Sequence, residues 1–118
     1  MEKFILNKEI RKLKNIDYEK VCILKDLVTY QEGQVVSKTL SQSKNLSITL
    51  FSFDKDEEIS THKSDGDAFV LCLDGIIKIT IDNKEYLLNE GNSIVMPAKH
   101  PHAVYAYERC KMLLVVVF

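Results

Sequence analysis

An excess of charge and a long apolar run are both missing from this sequence, and each absence excludes a class of protein. The 118 residues include 16 basic and 17 acidic side chains, which gives a formal net charge of −1. Such a balance creates no field that would attract a polyanion, so we expect no nucleic-acid partner. The longest apolar run, residues 112–118, is much shorter than the roughly 20 residues that span a bilayer, so we expect no membrane partner.

Cysteine and glycine are also scarce. The three cysteines, Cys22, Cys72 and Cys110, are an odd number without metal-like spacing, which predicts reduced, buried thiols. Residues 1–10 mix charges with short apolar pieces and lack the apolar stretch of a signal peptide, so we expect a cytoplasmic protein. Four glycines at separate turns cannot form a phosphate-binding loop, and a Gly-x-Ser-x-Gly nucleophile elbow is missing.

The chain has the length of one domain, and its composition changes once, near residue 33. Before that point, apolar residues recur at a spacing closer to 3.6 than to 2, at Ile10, Leu13, Val21, Leu24 and Leu27. We interpret residues 1–33 as an N-terminal arm of short helices or irregular structure, and residues 34–118 as a β-barrel.

The second part of the chain consists of short segments rich in Val, Ile, Thr, Tyr and Phe, separated by turn residues every 8 to 12 positions. This spacing is typical of an all-β sandwich or barrel. The predicted strands are 34–40, 46–53, 59–64, 68–73, 76–81, 84–88, 93–96, 102–107 and 111–118.

Two pairs of turn residues predict tight connections. Asp74–Gly75 and Asp82–Asn83 each separate two strands, and such residues adopt the positive φ angles that two-residue hairpins require. Between them, Ile77, Ile79 and Ile81 alternate with polar residues, so this face should point to the core.

The last strand is apolar on both faces. Met112, Leu114 and Val116 lie on one face, while the residues between them are equally apolar, and such a strand needs a cover on its outer side. We expect the cover to be a second subunit in a homodimer. The alternative cover is the chain's own arm, through Ile10, Leu13, Leu24 and Leu27.

The three histidines are the candidate metal ligands. His62 ends one predicted strand, and His100 and His102 flank Pro101 at the start of another. Histidine is the commonest ligand of transition metals, and residues on neighbouring strands can converge on one ion. The alternative is structural, with His62 and His102 hydrogen-bonded to each other or to water.

From residue 54 to residue 107 the chain resembles the cupins, whose motifs are G-x5-H-x-H-x3,4-E-x6-G and G-x5-P-x-G-x2-H-x3-N. Gly91, Pro97 and His102 match the second motif, and His62 and Gly75 match the first. The remaining motif positions differ, being held by Ser64, Ala68, Lys99 and Ala106.

The resemblance implies a jelly-roll barrel, the double-stranded β-helix of the cupins. Metal-dependent cupins hold a divalent ion with three histidines and one glutamate, and only His62 and His102 keep those positions here. Two neighbours are candidate replacements. Asp67 would reach the pocket if a bulge at Gly66 reversed its direction, and His100 would do so unless Pro101 turns it to the rim. The corresponding cofactor is a weakly held divalent transition metal: Zn, Ni, Co, Mn or Fe.

Side-chain alternation extends the pocket along each strand and predicts walls of small and apolar groups with a few polar points. The predicted ligand-binding residues are Ser60, His62, Ser64, Ala68, Val70, Cys72, His100, His102 and Val104.

We therefore predict a barrel that binds a small polar ligand, with a divalent metal as a further component. Ser64 and Ala68 favour this hypothesis because they remove metal ligands without disturbing the strand pattern around them. Two alternatives stay open. One is a metal-dependent enzyme with a rewired ligand set, of the dioxygenase, isomerase or decarboxylase type, and the other is a non-catalytic dimeric scaffold. No catalytic residue is identified.

Overall fold

The computed structural model describes residues 11–118, which form two antiparallel sheets packed face to face. The five-stranded sheet has the order β1-β2-β9-β4-β7 and the four-stranded sheet has the order β3-β8-β5-β6. All nine predicted strands are present, as a jelly-roll barrel, and most bounds differ by one or two residues. The strands are β1 (Val35–Gln42), β2 (Leu46–Phe53), β3 (Glu58–His62), β4 (Asp67–Asp74), β5 (Ile77–Ile81), β6 (Lys84–Leu88), β7 (Ser93–Met96), β8 (His102–Ala106) and β9 (Cys110–Val117).

The inner faces of the two sheets form one hydrophobic core. Ile77, Ile79 and Ile81 of β5 are buried as their alternation predicts, while Lys78 and Thr80 between them are only partly buried. The opposite sheet contributes inward residues of β2, β4 and β9, again at every second position. The fully buried members of this core include Phe53, Val70, Ile77, Ile79, Ala106, Cys110 and Met112.

One of the two predicted hairpin turns is confirmed. Ile81 and Lys84 pair across Asp82 and Asn83, whose φ angles of 51° and 69° are those of a type I′ turn between β5 and β6. The prediction for Asp74–Gly75 is wrong, because β4 and β5 belong to different sheets. The chain there crosses from one sheet to the other. Gly75 has a left-handed backbone (φ 75°) at the point where the chain changes sheets.

The described part of the N-terminal arm, residues 11–33, is irregular and packs on the outer face of the five-stranded sheet. Its only helical turn among the described residues is a 3₁₀ helix at Leu24–Leu27. Val28 is buried with Leu40 and Leu50 of the sheet, and Leu24 and Leu27 pack against the same cluster. Leu13 is exposed, and Ile10 lies outside the described residues. The division into an arm and a separate barrel stays a prediction.

Residues 11–33 of the arm cover only part of the outer face of β9. Leu113 packs in the cluster under the arm, whereas Val117 is 54% exposed. Beyond the arm, Val115 pairs with Phe69, and Phe69 pairs with Val95 on the next strand. Phe69 and Val95 are also exposed, so an apolar row crosses the sheet without a cover from residues 11–118.

The cysteines differ in burial. Cys72 and Cys110 are buried free thiols, as expected, but Cys22 is exposed because it lies in the irregular arm on the surface of the barrel. Within the described range, 11–118, no helix is long and apolar enough to cross a membrane.

Candidate functional site

A cavity of about 160 Å³ lies between the two sheets at one end of the barrel. Its walls are mostly apolar, and its polar groups are two imidazoles and one hydroxyl. The lining residues are Phe51, Ile59, His62, Ser64, Ala68, Met96, His102, Val104, Met112, Leu114 and Val116. A wider depression of about 590 Å³ lies outside the barrel, between Arg11 and the β1–β2 turn, but it is open to solvent. We therefore place the site in the interior.

The imidazoles of His62 and His102 meet at this cavity. The two residues pair across β3 and β8, and their Nε2 atoms are 3.2 Å apart. The rings lie edge to face, with centroids 4.4 Å apart and an angle of 71° between their planes. His102 is buried and His62 is exposed, so the pair extends from the interior to the cavity mouth.

Backbone carbonyl groups orient both rings. Nδ1 of His62 lies 3.0 Å from the carbonyl oxygen of Ser60, and Nδ1 of His102 lies 3.2 Å from that of His100. A carbonyl oxygen only accepts, so both Nδ1 atoms are placed to donate, while the two Nε2 atoms lie within hydrogen-bond distance of each other. Two neutral rings hold two N–H protons for these three contacts, so the pair is one donor short.

Burial lowers the pKa of His102 because the protein interior disfavours the charged imidazolium. The neighbouring His62 acts in the same direction, and the hydrogen bond to the His100 carbonyl partly opposes both effects. The neutral ring is thus the favoured form of His102 near neutral pH.

A bulge in β3 explains which of its residues face inward. The register shifts between Ile59, which pairs with Val104, and His62, which pairs with His102. Two residues of β3 therefore lie opposite one residue of β8, and strict alternation fails. Ile59 lines the cavity together with His62, while Ser60 is exposed and contributes only its carbonyl group.

The other predicted pocket residues divide into two groups. Ser64, Ala68 and Val104 line the cavity together with the two histidines. Val70 and Cys72 are fully buried but do not line it. Their register partners on β9, Leu114 and Met112, have larger side chains and reach the cavity instead.

The two candidate replacement ligands point away from the cavity. Asp67 keeps the regular alternation of β4 and is exposed, and its carboxylate accepts a hydrogen bond from the Ala98 amide. His100 lies on the rim, where its Nδ1 contacts the carboxylate of Asp82. Lys99, at a glycine position of the second motif, keeps a glycine-like φ of 67°.

The donor set fits a weak metal site rather than a complete one. In the part of the chain that the structure describes, no three His, Cys, Asp or Glu residues lie close enough to hold an ion. The imidazole pair alone has suitable geometry. Two Zn–N bonds at a tetrahedral angle separate the nitrogens by about 3.3 Å, and the Nε2 atoms of His62 and His102 are 3.2 Å apart.

The buried thiols are not nucleophiles. Burial raises the pKa of Cys72 to about 11 and that of Cys110 to about 12, so both are protonated near neutral pH. Neither thiol lines the cavity.

The sequence did not identify most of the apolar walls as pocket residues. The missed residues are Phe51, Ile59, Met96, Met112, Leu114 and Val116. For Met112, Leu114 and Val116 the sequence did contain a signal, because side-chain alternation along β9 places all three on one face. Phe51 and Met96 follow only from the pairing of β2 with β9 and of β7 with β4.

Comparison with known proteins agrees with the motifs and the barrel. A family model described as a cupin domain matches residues 49–118, more than half of the chain. The chain belongs to the cupin family. Metal binding is frequent among cupins. A search of curated proteins finds no match to this cupin.

Two solved structures are similar over nearly the whole chain. A conserved protein of unknown function from Streptococcus pyogenes is 47% identical, with a TM-score of 0.91 over 93% of this cupin and 96% of that protein. A cupin superfamily protein from Desulfitobacterium hafniense is 34% identical, with a TM-score of 0.87 over 92% and 99%. A cupin 2 conserved barrel domain protein from Leptotrichia buccalis is 45% identical, with a TM-score of 0.78 over 80% of this chain and 46% of that one.

Proposed function

We propose that this cupin is a small-molecule-binding module whose ligand lies inside the barrel with its polar end at His62 and His102. The observation that carries the proposal is the convergence of two imidazoles, with Nε2 atoms 3.2 Å apart, on a cavity of about 160 Å³. An apolar cavity with a few convergent polar groups is the usual form of a small-molecule site. We also expect a cytoplasmic homodimer, a part of the proposal that rests on the sequence.

The character of the walls favours binding over catalysis. Among residues 11–118, those that line the cavity include no carboxylate and no thiol. General acid–base catalysis would depend on the two histidines alone. The walls also revise the expectation of a polar ligand, because polarity is needed at only one end of the molecule.

A cavity-filling substitution tests this proposal. Ala68 lines the cavity, so Ala68→Leu should occupy part of the space and weaken binding of benzene- to indole-sized molecules at least about tenfold. Ligand-observed NMR would measure the binding. The matched control is Ala103→Leu, because Ala103 lies between two inward residues of β8 and does not line the cavity. Equal binding to the wild type and Ala68→Leu would contradict the proposal.

The imidazole geometry favours a second candidate, the weak binding of a divalent transition metal. Both Nδ1 atoms are engaged by carbonyl groups, so both Nε2 lone pairs are available to one ion. Such an ion would supply a Lewis acid at the polar end of the cavity. The lack of a third protein ligand predicts a low affinity.

Titration with Ni²⁺ or Co²⁺, followed by calorimetry or visible absorption, tests the second candidate. His62→Ala and His102→Ala should each abolish binding. His100→Ala is the matched control, because its ring contacts Asp82 on the rim, and it should bind like the wild type. Metal retained by a His62→Ala/His102→Ala double variant would disprove the assignment.

A further inference from the structure

The cavity combines an apolar body with one polar end, and its size limits the ligand. Seven of its lining residues are large apolar side chains, namely Phe51, Ile59, Met96, Val104, Met112, Leu114 and Val116. Its volume is about 160 Å³. An engineered cavity of roughly 150 Å³ with similar walls binds benzene. A body of benzene size therefore fits.

The polar end presents hydrogen-bond acceptors and is short of donors. Two neutral rings hold two N–H protons for three contacts, those of Nδ1 with two carbonyl groups and that between the Nε2 atoms of His62 and His102, so one contact lacks a proton. Ser64 is the remaining polar lining residue in the described chain, and its hydroxyl accepts a hydrogen bond from the Gly66 amide. In the described chain, no hydrogen bond joins this hydroxyl to either imidazole, so it does not supply the missing proton.

We infer that the pocket takes an uncharged molecule with an apolar body of benzene size and one hydroxyl group, which donates its proton to the facing imidazole nitrogens. The inference rests on the proposed binding function and adds the chemical class of the ligand. A carboxylate fits less well, because it has no proton to donate to an imidazole pair that is one donor short. Burying that charge against apolar walls is also costly.

Three probes of similar size test the class: phenol, benzene and benzoate. NMR titration of the isotope-labelled full chain near pH 7.5 would give their affinities. Phenol should bind about tenfold more tightly than benzene, the ratio expected for one added hydrogen bond. Benzoate should bind more weakly than phenol.

Variants test whether the imidazole pair causes the difference in affinity between phenol and benzene. His102→Leu removes one acceptor and keeps an apolar side chain of similar length, so the affinity for phenol should fall to that for benzene while benzene binding is kept. His100→Leu is the control, because His100 lies outside the cavity, and it should keep the wild-type ratio. If His102→Leu does not fold, His62→Leu provides the same test at the exposed member of the pair.

The outcomes distinguish the inferred class of ligand from the proposed binding function on which it rests. Equal affinities of the wild type for phenol and benzene, both weakened by Ala68→Leu, would overturn the hydroxyl class and support the binding pocket. Tighter binding of benzoate than of phenol would overturn the class in favour of anions. If none of the three probes binds in a way that depends on Ala68, both the inference and the proposed function fall.

Discussion

Asp54 forms a small hydrogen-bonded network that joins the arm to the barrel. Its carboxylate accepts hydrogen bonds from the backbone amide of Gly33 at 2.6 Å and from Nε of Arg109 at 2.8 Å. The Lys55 amide adds a third at 2.9 Å. These hydrogen bonds hold the pKa of Asp54 at about 2, below its ordinary value of 3.8, and the bond from Gly33 has the largest effect. The ionised carboxylate is therefore favoured by the folded state.

This shift predicts a contribution to acid stability. Because the folded pKa lies below the ordinary value, ionised Asp54 stabilises the fold above pH 3.8, and the contribution is lost as the pH falls toward 2. Asp54→Asn should lower the melting temperature at pH 7. Its melting temperature should also fall less than that of the wild type between pH 5 and pH 2.5. Thermal unfolding followed by circular dichroism measures both.

Asp65→Asn is the control for this prediction, because Asp65 is an exposed acid in the turn between β3 and β4. It should unfold like the wild type at each pH. If Asp54→Asn lost as much stability in acid as the wild type, the network would have no part in acid unfolding.

At the scale of elements, the crossing from β4 to β5 brings two backbone segments into close contact. Gly75 has a φ of 75°, and a Cβ atom there would lie 1.7 Å from the carbonyl oxygen of Arg109. Arg109 directly precedes β9, so the crossing passes against the start of the central strand of the five-stranded sheet. Any side chain at position 75 would force these backbones apart.

Position 75 requires glycine for two reasons, the left-handed backbone and the close approach of Arg109. A pair of glycine substitutions separates their effects on stability. Gly33 has a similar φ of 68° but nothing within 4 Å of its Cβ position. Gly33→Ala should therefore lower the free energy of unfolding by about 1 kcal/mol, the cost of a left-handed alanine. Gly75→Ala should lower it by about 3 kcal/mol or more, because the backbone must also move. Urea unfolding measures both, and equal losses would show that close approach has no effect.

For the whole molecule, the described part of the arm covers only part of the outer face of the five-stranded sheet. The arm packs over Leu40 and Leu50, and the apolar row at Val115, Phe69 and Val95 lies beyond it. The row carries no charge, so a two-fold axis can place it against its own copy without opposing like charges. A second copy therefore remains the cover that we expect.

Light scattering at micromolar concentration should give the mass of two chains. Val95→Glu and Val117→Glu, at side chains that are each 54% exposed, should yield monomers, because each places like charges across the two-fold axis. Leu87→Glu is the matched control, with 55% exposure on the other sheet, and should stay dimeric. A single-chain mass for the wild type would contradict the dimer.

The strand pattern and the pocket histidines could be predicted from the sequence, because both depend on local signals. Alternation of apolar residues and turn residues located nine strands, and motif spacing brought His62 and His102 to one site. Ser64 and Ala68 stand where metal-dependent cupins have ligands, so the sequence also indicated that the ligand set is incomplete here.

Other features were decided only by the tertiary structure, because they depend on which strands meet. The bulge in β3 placed Ile59 inward and Ser60 outward against strict alternation, since the register with β8 determines it. The sheet change at Gly75 replaced a hairpin by a crossing, and the packed arm stayed irregular despite its helical spacing. The cavity itself is the space left between residues of six strands and of the β3–β4 turn, a volume that no single segment encodes.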